Sequence, residues 1–175
     1  MKFLHCALLL PVLAAPLGAA AGERLYLRVP VQFTPGIHVM PRIKSECALE
    51  REMADQAATQ IGKHYSKVEL AAKGDDVGND KVIKLTITNV SGVGGGHWSG
   101  PKSMTVLAEL QQGETILASK SLSRASRTAG LFGGTCDMLH KVTRSIGADV
   151  GVWLKRGAGA QPVDAADEPA PDSAE

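Results

Sequence analysis

From residue 24 onward, apolar and polar residues alternate or recur in ways that predict both strands and helices. In Arg24–Phe33, Leu25, Leu27, Val29, Val31 and Phe33 share one parity, with Arg24, Tyr26, Arg28 and Gln32 on the other. That is the pattern of a strand with one buried face. Pro30 lacks a donor, so this strand is expected at a sheet edge, or with its missing donor turned outward. Lys81–Val90 alternates Ile83, Leu85 and Ile87 against Lys84, Thr86 and Thr88. Ser103–Leu110 resumes the alternation with Met104, Val106, Ala108 and Leu110, and Gln111–Glu114 turns the chain into a further run, Thr115–Ser123. His64–Leu70 reads as one more short strand.

Two segments carry the helical period instead. Leu49, Met53, Ala57 and Ile61 recur every fourth residue, widened by Cys47, Ala54 and Ala58. Ser45 is a candidate cap, Glu46, Glu50 and Glu52 suit the positive end of the helix dipole, and Gly62 suits its termination. Cys136, Leu139, Val142, Ile146, Val150 and Trp153 form a second stripe, with Thr135 as candidate cap and Lys155–Arg156 at its end. The expected fold is α+β: a two-layer domain with a mainly antiparallel sheet of four to five strands and two helices packed on one face.

The ends of the chain read differently. Met1–Lys2, the apolar run Phe3–Leu17 and the small residues Ala19–Ala21 make residues 1–21 a signal peptide, cleaved near Ala21. Its apolar run is shorter than the ~20 residues of a spanning helix, and no later stretch is long and apolar enough. Residues 22–156 form a single domain, and 157–175 an acidic, Ala/Pro-rich tail with no apolar period, expected to be disordered. The reading is of a periplasmic or secreted protein. From Glu23 to Arg156 the bases exceed the acids by five, and the five acids of the tail restore neutrality. So mild a surplus permits contact with anionic envelope material without requiring it. Arg124, Arg127, Lys141 and Arg144 could make a basic face, but their spacing also suits ordinary solvated surface, and no interleaved aromatics indicate nucleic-acid binding.

Cleavage removes Cys6 and leaves Cys47 and Cys136, which an oxidising compartment would pair as a disulfide. The competing use is a metal site, since Cys136 and His140 lie one helical turn apart. With Cys47 that makes three ligands and no obvious fourth.

The richest candidate site is the glycine run Gly92–Gly96, followed by His97, Trp98, Ser99 and Lys102. Glycines permit close backbone approach. Trp98 offers an aromatic platform and Lys102 a partner for an anionic group; alternatively Trp98 folds back onto the core. A second loop, Gly130–Gly134, carries Phe132 and would lie beside the first if both fall at one sheet end. There Leu131 and Phe132 either contribute to recognition or plug the space over the sheet.

Several chemistries are excluded. Gly95–Ser103 approximates a phosphate-binding loop but has an extra Pro101 and leads into a strand, not a helix. Ala71–Asp80 lacks calcium-loop spacing. Neither Gly-x-Ser-x-Gly nor His-Glu-x-x-His occurs. The expectation is a binding protein and not an enzyme, with no cofactor; the alternative is a metal- or thiol-dependent enzyme using His97, or Cys47, Cys136 and His140.

The run Lys81–Leu154, with Gly92-Val-Gly-Gly-Gly96, Ser99-Gly-Pro-Lys-Ser103, Leu131-Phe-Gly-Gly134 and Trp153-Leu154, resembles small uncharacterised bacterial envelope domains. These are similar in layout to domains of outer-membrane assembly lipoproteins such as the curli secretion lipoprotein. The resemblance implies a periplasmic accessory or binding domain whose partner is an envelope protein or an anionic polymer. The chain departs from that pattern in having no lipid-attachment cysteine after its apolar leader.

Overall fold

The computed structural model describes residues 24–92, 100–127 and 134–158. The expected signal peptide, residues 1–21, its expected cleavage site and residues 159–175 of the tail lie outside them. The described chain forms strands β1 (Leu25–Val29) and β2 (Gln32–Phe33), helices α1 (Pro41–Glu46) and α2 (Leu49–Ile61), strands β3 (Val68–Ala72), β4 (Lys81–Ser91), β5 (Lys102–Gln112) and β6 (Thr115–Ser126), and helix α3 (Thr135–Lys155).

These strands make one six-stranded sheet in the order β3-β1-β4-β5-β6, with β2 also paired to β4. The β4–β5–β6 meander is antiparallel, as its alternation and Gly113 turn require. The expected sheet is corrected elsewhere: β1 pairs parallel to β3 and to β4, and β2 runs parallel to β4. For β1 and β3 the cause is the strand–helix–strand order, because a strand that returns through a helix to its neighbour re-enters parallel. Residues 73–80 then carry the chain back without a helix, so that β4 also runs parallel to β1, and β2 follows β1.

Nor is the first strand an edge. β1 sits between β3 and β4, and Pro30 falls in the break between β1 and β2 after a cis Val29–Pro30 peptide. Between the pairs Leu27–Ile83 and Gln32–Thr86 this chain advances five residues while β4 advances three. The surplus loops out, so Pro30 owes the ladder no hydrogen bond.

Three helices, not two, are present among the described residues. α1 begins with Pro41 in its first turn and buries only Ile43. Ser45 therefore lies inside α1 and does not cap α2; Ala48, at φ 45°, turns the chain between the two helices. Gly134, not Thr135, occupies the N-cap of α3, where the Asp137 carboxylate accepts its N–H at 2.6 Å.

The core lies between the sheet and one helical layer. α2 covers β1 and β3, and α3 covers β5 and β6. The stripe Leu49, Met53, Ala57 and Ile61 is buried as expected, as is Leu139, Val142, Ile146, Val150 and Trp153. Where the helices meet, side chains almost vanish. A Cβ on Gly147 would stand 3.0 Å from the Gln56 carbonyl oxygen, and one on Gly151 3.1 Å from that of Gln60. Glycine at these positions lets the two backbones approach. The sheet's other face is polar over the meander, with Lys84 paired to Glu109 at 3.1 Å and Thr105 Oγ1 donating to Ser123 at 3.2 Å.

Candidate functional site

The sheet's register decides which loops are neighbours. β4 ends at Ser91, which pairs with Ser103, and Lys102 pairs with Ser126 at the end of β6. The chain leaving residues 93–99 into β5 and the chain entering 128–133 from β6 therefore stand on adjacent strands at one end of the sheet, while the chain enters 93–99 from β4 on the far side of β5. α3 starts from that end at Thr135, and Phe33 ends β2 beside Ile87 on the same side. His97, Trp98, Ser99 and Phe132 lie in those two segments, outside the described residues.

Lys102 is within them, and its setting differs from the outward display expected of it. Its parity is that of Met104 and Val106, so it points into the helix-facing layer, and no part of it is exposed. The residue facing it is Gly92, where a Cβ would fall 2.3 Å from the lysine's Cδ. With φ +135° and no side chain, Gly92 leaves the channel through which the lysine stem passes. The ammonium then donates to the Gly100 carbonyl at 3.0 Å. Buried ammonium groups need such partners. Lys102 thus ties together the two ends of the first glycine loop.

The same end is fastened by sulfur. Cys47 and Cys136 form a disulfide with Cα atoms 5.0 Å apart. Cys136 lies in the first turn of α3 as expected, whereas Cys47 caps the C-terminus of α1. With both sulfurs bonded to each other, neither is available as a thiolate ligand or nucleophile, and that form of the alternative is corrected. His140, the other member of the metal reading, has its Nε2 2.9 Å from the Cys47 carbonyl. A carbonyl only accepts, so Nε2 carries the proton and donates. Among the described residues no cluster of three His, Cys, Asp or Glu side chains could hold a metal.

α1 completes this region, with Lys44 Nζ 5.4 Å from the Phe33 ring centroid, a cation–π contact. Away from the site, Arg124 on β6 holds Asp149 on α3 in a two-pronged pair at 2.6 and 2.8 Å. That hydrogen-bonded carboxylate raises the Arg124 guanidinium above its ordinary value. Sequence reasoning named Arg124 only as surface charge; the partner, 25 residues later, carried no local signal.

Among the described residues no helix is long and apolar enough to cross a membrane. No protein-family model matches the chain, and no curated protein matches it. Solved structures do. The PelC dodecamer from Paraburkholderia phytofirmans superposes with a TM-score of 0.52 at 16% identity, over 80% of this chain and 90% of that one. A Xanthomonas campestris protein of the DUF330 family model gives 0.44 at 9% identity, covering 79% and 89%. A minor lipoprotein from Acinetobacter baumannii gives 0.40 at 12%, covering 81% and 98%. At such identities the PelC match is a likeness of fold: this chain has the mixed α+β architecture of PelC.

Proposed function

We propose that this chain is an exported cell-envelope accessory protein that binds an envelope protein or anionic polymer at the loop end of its sheet. It binds there and performs no catalysis. His97, Trp98, Ser99 and Phe132 supply the contacts, and Lys102 holds the first loop in place from beneath. The observation that carries this reading is the pairing of Lys102 with Ser126, which makes the bases of both glycine-rich loops adjacent. The disulfide beside them favours a stiff platform in an oxidising compartment. Loops carried on such a scaffold are where recognition residues concentrate. The PelC fold and the disulfide are consistent with an envelope setting.

Trp98→Ala tests it. Partner recovery in a pull-down from envelope extracts is expected to fall while the thermal midpoint stays nearly unchanged. A large drop in the midpoint would mean that Trp98 is core, and unchanged recovery would remove it from the contact surface.

A further inference from the structure

On the side of the molecule away from the disulfide, β6 and the C-terminal half of α3 bound an open groove of about 570 Å³. Its floor is apolar, formed by the buried Leu122 and Trp153. Its rim is cationic: Lys120 and Arg124 stand on β6 and Arg156 ends α3. The one acid lining it, Asp149, has both oxygens taken by Arg124. Lys120 and Arg156 are exposed, and among the described residues neither has an ion-pair partner. The groove therefore keeps a positive surplus with no acid to answer it.

The chain itself leaves from this rim. Gly157, at φ +80°, lines the groove and turns the backbone out of α3, and Ala158 is buried beside it. Directly after come Asp164, Asp167, Glu168, Asp172 and Glu175, with no base among them. Asp164 is six residues beyond Ala158, a reach of up to about 20 Å when extended. Lys120 and Arg124 are four strand residues apart, about 13 Å. An extended segment of that length exceeds the spacing of the cations along β6, so the first acids of the tail are within chain reach of the rim.

We propose that the groove between β6 and α3 is the docking site of the chain's own acidic tail, residues 159–175. Tethering raises the tail's effective concentration to the order of mM, so weak, exchanging charge contacts suffice and no fixed tail conformation is needed. Because the contacts are exposed, salt screens them, with a Debye length near 10 Å at 0.1 M. The tail then acts as a built-in anionic competitor, and an acidic partner must displace it to enter the groove.

The test uses the full chain, as an equal mixture of ¹⁵N-labelled and unlabelled protein, treated with a zero-length carbodiimide at 20 and 500 mM NaCl. Expected are amides joining Lys120 to Asp164, Asp167 or Glu168 within one isotopic species, with yield falling several-fold at the higher salt. Neutralising all five tail acids to Asn or Gln should abolish them. It should also shift the low-salt amide resonances of Leu122–Arg124 and Val152–Gly157. Tail acids linking to Lys63, Lys73 and Lys84 as readily as to Lys120, links only between labelled and unlabelled chains, no tail links, or unshifted resonances would each overturn the proposal.

Discussion

Gly147→Ala sets two effects of known sign against each other. In an ordinary helix interior alanine is favoured over glycine by about 1 kcal/mol, because glycine loses more backbone freedom on folding. Here the new Cβ would lie 3.0 Å from the Gln56 oxygen, 3.1 Å from its carbonyl carbon and 3.2 Å from the Ala57 nitrogen. All three are backbone atoms of α2, which cannot swing aside as a flexible side chain would. Separating the helices by a few tenths of an ångström loosens the packing of Met53, Ala57 and Ile146 around the contact. Overpacking of this kind costs about 1–3 kcal/mol. The balance is a net loss of roughly 0.5–2 kcal/mol, or several degrees in the midpoint of a domain this size. Ser145→Ala, on the exposed face of the same helix, gives a propensity comparison without a close backbone neighbour, offset by loss of the Ser145 Oγ hydrogen bond to the Lys141 carbonyl at 3.0 Å, and should leave stability unchanged or slightly raised. Urea unfolding of the three proteins measures both. If Gly147→Ala stabilises as Ser145→Ala does, the backbones do not approach as described and the two-helix layer is wrongly packed.

Replacing both cysteines by serine opens a link spanning 89 residues; chain entropy predicts a loss of about 4–5 kcal/mol by urea unfolding, and a loss under about 1 kcal/mol would refute that estimate. Asp149→Asn should cost roughly 0.2–1 kcal/mol at low salt and less at 1 M, because the pair is half exposed. Glu69 should titrate below 4.5 by carboxyl NMR, since its hydrogen bond to Lys67 lowers it. A lowered folded-state value contributes stability present above the ordinary range and lost as pH falls through the lowered one; Lys67→Gln should move the titration back toward 4.5.

Strand alternation and the four-residue stripes located β4, β5, β6, α2 and most of α3, because each of these buries one face of a long regular element. What alternation does not encode is which strand lies alongside. Leu25, Leu27 and Val31 have the same pattern at an edge or inside a sheet, so the pattern alone does not separate the two; the strand–helix–strand order carries the clue to the parallel partner β3. α1 has six residues and one buried side chain, too few to make a period. Gly147 and Gly151 do carry a signal, two glycines four apart on the buried side of α3, answered by Ala54, Ala57 and Ala58 on α2.

Of the candidate site, the cysteine pair is legible in the sequence; the two glycine-rich loops lie outside the described residues, and the sheet order brings together the exit of the first and the entry of the second. The charge of Lys102 suggests a surface contact, whereas its parity places it in the buried layer. It continues the inward series of Met104 and Val106, and a glycine faces it, so the long stem has room where any side chain on residue 92 would block it. Arg124 and Asp149 meet only through the packing of α3 on β6, which no local pattern records.

The central claim is that the two loops form one recognition surface. A photocrosslinking amino acid placed at Trp98, at Phe132 and, as control, at Thr86 on the opposite sheet face tests it most directly in intact cells. The account predicts the same adduct from positions 98 and 132 and none from 86. Adducts of different partners from the two loops, or equal capture from Thr86, would contradict it.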